Sequence, residues 1–306
     1  MLRFIKNTWF NTKLHLATKD RNLCLLYHHV DDKQPLSNIH SVSLNAFKKQ
    51  IIALKKHWKF VNEDEFFDKK ELSTHKILLT FDDNYQSTLS NVAPFLETEN
   101  IPYVFFVNSS TIEGNLLWRD KIKLLIEKDL TKDFIEQYNI QLSEIDFLKE
   151  TKNPEKTNSK IISNQLEDFF QKQNILYQYY PYNTANDLRK FAQYRMIKLG
   201  NHSHNHFCLS TLTTEEIDFE IKTNHYFLQD NFPKEKISRL FSIPFGSFAS
   251  YNQTTIDVLN KYGYLGALMS APHYYFHGKS NLSLEKYDFV GYKRLLPKEY
   301  YRFYYL

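Results

Sequence analysis

KILLTFDD, residues Lys76–Asp83, decides how this chain reads. Four apolar residues and a threonine in a short run, with no polar alternation, form the pattern of a strand covered on both faces. Such strands belong to parallel sheets flanked by helices. This one ends abruptly in two adjacent carboxylates.

The same pattern recurs on either side of it. Upstream, Asn22–Tyr27 (NLCLLY) is a buried-strand pattern that runs into His28 and His29. A helix follows over Ser43–His57, with Phe47, Ile51 and Leu54 on one face and Ser43 as N-cap. Lys59–Val61 is a short strand. Downstream, a helix over Ser87–Glu99 leads to a strand over Ile101–Val107. After a long interval Met196–Gly200 is a strand, and Thr213–Asp230 a helix opened by a capping box of Thr213 and Glu216. Arg239–Ile243 and Tyr264–Met269 are strands separated by a helix over Thr254–Tyr262, and Asp288–Leu306 reads as a closing strand with an aromatic tail. This alternation predicts an α/β fold with a parallel sheet, most economically closed into a barrel. The interval itself, from Leu117 to about Gln193, is rich in Lys, Glu, Asn and Gln. It reads as a helical insertion, residues 117–193, broken at Tyr179–Thr184 and lying within a single domain of residues 1–306.

Composition excludes several classes. Lys and Arg exceed Asp and Glu by 39 − 35 = 4, too even a balance for a nucleic-acid partner. There are 7 glycines, and neither phosphate-cradling glycine motif occurs. Cys24 and Cys208 make no disulfide framework and are expected to be buried thiols in a reducing compartment. The longest apolar runs are too short to span a bilayer, and residues 1–16 lack the apolar core and cleavage site of a signal peptide. The chain is therefore expected to be cytoplasmic or to rest on a membrane surface. For the second case, Leu2, Ile5, Trp9, Phe10 and Leu14 with Arg3, Lys6 and Lys13 form a basic amphipathic stretch. It is expected either to touch an anionic membrane or to pack against the barrel. The tail Tyr300–Leu306 is open between a subunit contact and barrel packing.

In a β/α barrel, reactive groups gather where the strands end. KILLTF runs into Asp82-Asp83, MIKLG into Asn201-His202-Ser203-His204-Asn205-His206, RLFSI into Pro244-Phe245-Gly246, and NLCLLY into His28-His29. Two imidazoles four residues apart and one carboxylate make a set suited to a divalent metal with open positions for water. Two adjacent aspartates can divide two tasks, one ligating and the other taking a proton. A divalent metal lowers the pKa of the water it holds from about 15.7 towards 7.

LLTFDD (Leu78–Asp83), HSHNH (His202–His206) and SIPFG (Ser242–Gly246) resemble the first three motifs of polysaccharide deacetylases. This is the NodB-homology fold, also called carbohydrate esterase family 4. LLYHHV around Tyr27, VSLNAFKKQIIAL after it and LLWRDKI at Leu116–Ile122 are similar to that family too, so the likeness runs over residues 22–295. It implies a distorted (β/α)7 barrel of the NodB-homology type that hydrolyses N-acetyl groups from amino sugars of a poly- or oligosaccharide or lipid-linked glycan. The implied cofactor is a divalent metal, most commonly Zn²⁺. By the same resemblance Asp82 is the general base, and Asp83, His202 and His206 are the metal ligands. Phe245 offers a backbone N–H to the oxyanion, and Pro244 helps shape the groove wall.

Two positions depart from that pattern. The family's third motif carries an arginine paired with the base, and Ser242 stands there; Arg239 is the nearest alternative. The C-terminal Leu-x-His that supplies the general acid is missing, and His273 and His277 lie in that region in another context. Biofilm poly-N-acetylglucosamine deacetylases use a histidine from an N-terminal Tyr-His motif, which Tyr27-His28 resembles, so His28 is the expected acid, with His273 and His277 as competitors for the role. Trp118, beside Arg119 and Asp120, is expected to wall the site or stack on a sugar, or else to anchor the insertion in the core. Two other readings stay open: a catalytically silent sugar-binding scaffold, and a metal amidohydrolase acting on a non-sugar amide.

Overall fold

The apolar runs become the strands of one sheet, because their side chains need cover on both sides and only a layered fold supplies it. The computed structural model describes residues 22–32, 41–68, 75–176 and 180–270, with the backbone of 282–283 and 290–293. In chain order the strands are β1 (Leu23–Tyr27), β2 (His29–Val30), β3 (Ser41–Val42), β4 (Lys59–Phe60), β5 (Lys76–Phe81), β6 (Tyr103–Val107), β7 (Ile197–Asn201), β8 (Ile237–Ser242), β9 (Gly266–Met269), β10 (Leu282–Ser283) and β11 (Val290–Lys293).

The curled sheet runs β1-β5-β6-β7-β8-β9-β11-β10. All its pairings are parallel except β10 on β11. β4 pairs with the start of β5, at Lys76 and Ile77, while β6 pairs with its end, from Leu79 to Phe81. β2 and β3 pair separately. The expected distorted barrel of the NodB-homology type is therefore the observed architecture, with a sheet curled like half a barrel. Parallel pairing brings the C-terminal ends of β1, β5, β6, β7 and β8 to one rim.

Side-chain alternation then sorts each strand into two faces. Ile77, Leu79 and Phe81 pack outward with Phe47, Ile51, Leu89 and Val92. Leu78 packs inside the curl with Cys24, Val104, Phe106, Leu240 and Leu268. Gly200 also faces inward, since a Cβ there would meet the Phe106 ring at 2.4 Å. Extended past the strand ends, the inward parity falls on His28 after Cys24, Asp82 after Leu78, His202 after Gly200 and Ser242 after Leu240.

The helices are α1 (Leu44–Lys55), α2 (Glu63–Phe67), α3 (Gln86–Thr98), α4 (Trp118–Glu127), α5 (Thr131–Gln137), α6 (Glu144–Glu150), α7 (Ser159–Lys172), α8 (Ala185–Phe191), α9 (Thr214–Asn231) and α10 (Gln253–Lys261). The Ser43 side chain caps α1, and both halves of the Thr213–Glu216 capping box form at α9. Helices α4 to α8 fill the interval between β6 and β7. Trp118, Ile122, Leu125, Phe134, Phe147, Leu166 and Phe169 from this segment share one apolar cluster with Phe207 and Ile243, next to the His202–His206 and Pro244–Gly246 turns. Cys24 and Cys208 are buried free thiols. Among the described residues no helix is long and apolar enough to cross a membrane. The basic amphipathic stretch of residues 1–16, His273, His277 and the tail Tyr300–Leu306 lie outside the described residues.

Candidate metal centre

The strand ends supply the site, and turns of unusual backbone aim it. Asp83 and Asn84 follow β5 with φ of 73° and 54°. Ser203 and His206 follow β7 at 65° and 60°, and Phe245 follows β8 at 64°. Left-handed backbone disfavours side-chain-bearing residues by roughly 1–2 kcal/mol each and is concentrated where geometry is functional. Here it turns three side chains toward one point.

Asp83 Oδ1 lies 3.4 Å from His202 Nε2 and 3.4 Å from His206 Nε2. The three ligand atoms all fall within 4.8 Å of one another. His202 Nδ1 is 2.8 Å from the Ser242 carbonyl. A carbonyl only accepts, so Nδ1 carries a proton, and Nε2, on the side of Asp83, is the nitrogen left to ligate once it is deprotonated. Asp83 Oδ1 and His206 Nδ1 are buried without a hydrogen-bond partner. A buried carboxylate oxygen left in that state is costly unless something positive meets it. Two imidazoles and one carboxylate are also the donor set that divalent zinc or iron accepts. The residues fit a cation.

Charge in the pocket is arranged to match. Burial alone would raise the Asp83 pKa, but the His202 imidazole and the charges of His206 and His28 hold it well below the usual carboxylate range. Burial, with the charge of His202 adding to it, pushes His206 down to about 4. Burial also pulls His202 down, yet Asp82 and Asp83 together outweigh it and leave that imidazole raised.

Asp82 is 2% exposed and sits just behind this group. Its Oδ2 accepts the Ser242 hydroxyl at 2.9 Å and lies 3.5 Å from His202 Nε2. Ser242 thus fills the place expected for an arginine with a neutral donor. Arg239 does not substitute for it: its guanidinium pairs with Asp64, and it lies on the opposite parity of β8 from Ser242. His28 stands at the end of β1, close enough for its charge to act on both Asp83 and His206. Its neighbour His29 starts β2, with its ring nitrogens on the hydroxyls of Ser41 and Ser87.

Phe245 leaves β8 half-buried, its ring 5.0 Å from His206 and 5.6 Å from Trp118. Gly246 continues the turn at φ 64°, where an added Cβ would meet the Ser270 nitrogen at 2.2 Å. Pro244 is buried, so it sets the course of this turn rather than offering its ring to a groove. Trp118 requires a larger correction. It is 1% exposed, which leaves no ring face open for a sugar to stack on. Its indole N–H instead donates to the His206 carbonyl at 2.9 Å.

Several participants have no local sequence signal. Glu220 of α9 accepts the Asn205 backbone N–H and side-chain amide, each at 2.7 Å, in the turn between His202 and His206. Burial, opposed by those Asn205 bonds, pushes its pKa up to about 7. Asn84 and Asn183 bond reciprocally, and Asp120 accepts the hydroxyls of Tyr85 and Tyr182.

Comparison with known proteins agrees with this fold. IcaB from Ammonifex degensii superposes with a TM-score of 0.58 at 15% identity, over 94% of this chain and 96% of its own. A de-N-acetylase from Aggregatibacter actinomycetemcomitans gives 0.56 at 16%, over 90% and 95%. The deacetylase PplD of Streptococcus pyogenes, solved in complex with acetate, gives 0.55 at 14%, over 90% and 93%. At these identities the likeness establishes the fold. No curated protein matches the sequence. The sequence profile of polysaccharide deacetylases does match, over residues 69–267. That match takes in every strand end from Asp82 to Gly246 and more than half of the sequence, and the chain therefore belongs to the polysaccharide deacetylase family.

Proposed function

We propose that this deacetylase is a metal-dependent hydrolase that removes N-acetyl groups from amino sugars of a poly- or oligosaccharide or a lipid-linked glycan. The observation that carries the reading is the convergence of ligand atoms from Asp83, His202 and His206 within 4.8 Å of one another, the Asp83 Oδ1 among them buried and without a hydrogen-bond partner. A de-N-acetylase and an acetate-bound deacetylase among the structural neighbours support amide hydrolysis as the reaction.

Asp83, His202 and His206 would hold the cation. When bound, a divalent metal such as Zn²⁺ supplies a Lewis acid that polarises a carbonyl and acidifies water. Asp82, beside His202 and held by Ser242, accepts the proton of the attacking water. The Phe245 N–H would donate to the oxyanion that forms on the acetyl oxygen as water attacks the carbon, a contribution of about 3–4 kcal/mol for such a donor. Protonated His28 gives its proton to the leaving nitrogen, a step worth roughly 10²–10⁴-fold. Water and amide become acetate and a free amine, so atoms and charges balance.

The test is acetate and free-amine release from N-acetylglucosamine oligomers by zinc-reconstituted protein. Equal amounts of both products are expected. Zinc-loaded protein that releases neither from any N-acetyl sugar would favour a silent scaffold.

A further inference from the structure

The helical segment between β6 and β7 grips the two loops that carry the metal ligands, one loop with each of its ends. At the first end, the Trp118 indole N–H donates to the His206 carbonyl at 2.9 Å. At the other end, the Asn183 backbone N–H donates to the Asn84 carbonyl at 3.0 Å. The Asn183 amide donates to the same carbonyl at 3.0 Å and to Asn84 Oδ1 at 3.2 Å, and the Asn84 amide returns a bond to the Asn183 carbonyl at 3.1 Å. Tyr182 pairs with Tyr85 as an isolated antiparallel bridge. Asp120, 1% exposed, joins the two ends by accepting the Tyr85 hydroxyl at 3.0 Å and the Tyr182 hydroxyl. The Tyr182 hydroxyl in turn accepts the Leu117 N–H at 3.2 Å.

We propose that this segment is a clamp that pre-sets the ligand loops, with Trp118 and Asn183 as positioning residues and Asp120 as the carboxylate that ties them together. The inference rests on the reading of Asp83, His202 and His206 as metal ligands. Its physical basis is the left-handed backbone at Asp83, Asn84 and His206. Such conformations persist only when their surroundings over-determine them, and the bonds from the two ends of the segment do so. Residues that orient ligands from behind typically change metal affinity by about 10–100-fold when removed.

The experiment uses the full chain as wild type, Trp118→Phe and Asn183→Ala. Asn183→Asp, which retains the shape without the amide donors, replaces Asn183→Ala should the latter not fold. Phe147→Leu is the control, a buried position of the same segment packed on Phe134. Three quantities are read: zinc affinity by chelator competition, the visible spectrum of the cobalt-loaded protein, and amide hydrogen exchange of peptides 81–86 and 202–207 without metal. Trp118→Phe and the Asn183 variant are expected to weaken zinc binding by about 10–100-fold and to alter the cobalt spectrum. Each should speed exchange in the loop it holds. Phe147→Leu should lower the melting temperature and leave zinc affinity unchanged. Wild-type zinc affinity and loop exchange in the clamp variants would overturn the proposal, as would an equal loss of affinity in Phe147→Leu. A wild-type protein that binds no zinc would overturn the metal reading instead, and the exchange comparison alone would then decide the clamp.

Discussion

The hydroxyl of Ser242 donates to Asp82 Oδ2 at 2.9 Å, while the carbonyl of the same residue accepts Nδ1–H of His202 at 2.8 Å. One residue at the end of β8 thus orients both the proposed base and a proposed ligand, the first through its side chain and the second through its backbone. Ser242→Ala separates the two effects. A hydrogen bond to a buried charged group is worth about 1.5–3 kcal/mol, so kcat should fall by roughly 10–100-fold. Zinc affinity should hold, because the carbonyl remains. Steady-state kinetics with a parallel zinc titration checks this, and a variant that loses zinc would refute the division.

The adjacent aspartates predict a sharper contrast. Asp82→Asn retains the Asp83, His202 and His206 donors and should bind zinc, yet lose turnover by about 10²–10⁴-fold. His202→Ala removes a ligand and should lose both. Elemental analysis of the purified variants beside acetate release distinguishes them. Unchanged turnover in Asp82→Asn would remove Asp82 from the role of base.

If His28 protonates the leaving nitrogen, its importance must depend on the leaving group. An amine is expelled only with a proton, whereas an activated phenolate leaves without one. His28→Ala should therefore reduce hydrolysis of N-acetylglucosamine oligomers by about 10²–10⁴-fold and spare 4-nitrophenyl acetate. Equal losses on the two substrates would point to a structural role.

Metal binding should be linked to protons with a definite sign. His202 is raised in the metal-free site, so its protonated form is favoured below the ordinary histidine value and its stabilisation is lost as pH rises through the raised value. His206, pushed down to about 4, resists protonation, so acidification from about 6.5 toward 4 favours the unfolded chain. A ligating imidazole must be neutral. Zinc binding near neutral pH should thus release up to about one proton, from His202, growing as pH falls through its raised pKa. Calorimetry in two buffers of different ionisation enthalpy measures it. The absence of release would contradict the assignment of His202.

Much of this site was legible because the information is local. Alternation along KILLTF already places Asp82 on the face of Leu78 and Thr80, and the same parity carries Ser242 with Leu240 and separates it from Arg239. The histidines at positions 202 and 206 likewise follow their strand directly. What the sequence concealed are contacts set by packing across long separations. Asn84 and Asn183 stand 99 residues apart, and nothing in either neighbourhood announces the other. Trp118 reads equally well as a stacking platform or a core residue, since both ask for a large apolar ring. Only the closing of the helical segment onto the His202–His206 turn buries it and turns its N–H to the His206 carbonyl.

Anomalous diffraction from zinc-soaked crystals, collected on either side of the zinc absorption edge, addresses the central claim most directly. A single strong peak bounded by the carboxylate of Asp83 and the Nε2 atoms of His202 and His206 is the predicted result. A map with no peak there, or with zinc bound only elsewhere on the molecule, would contradict it.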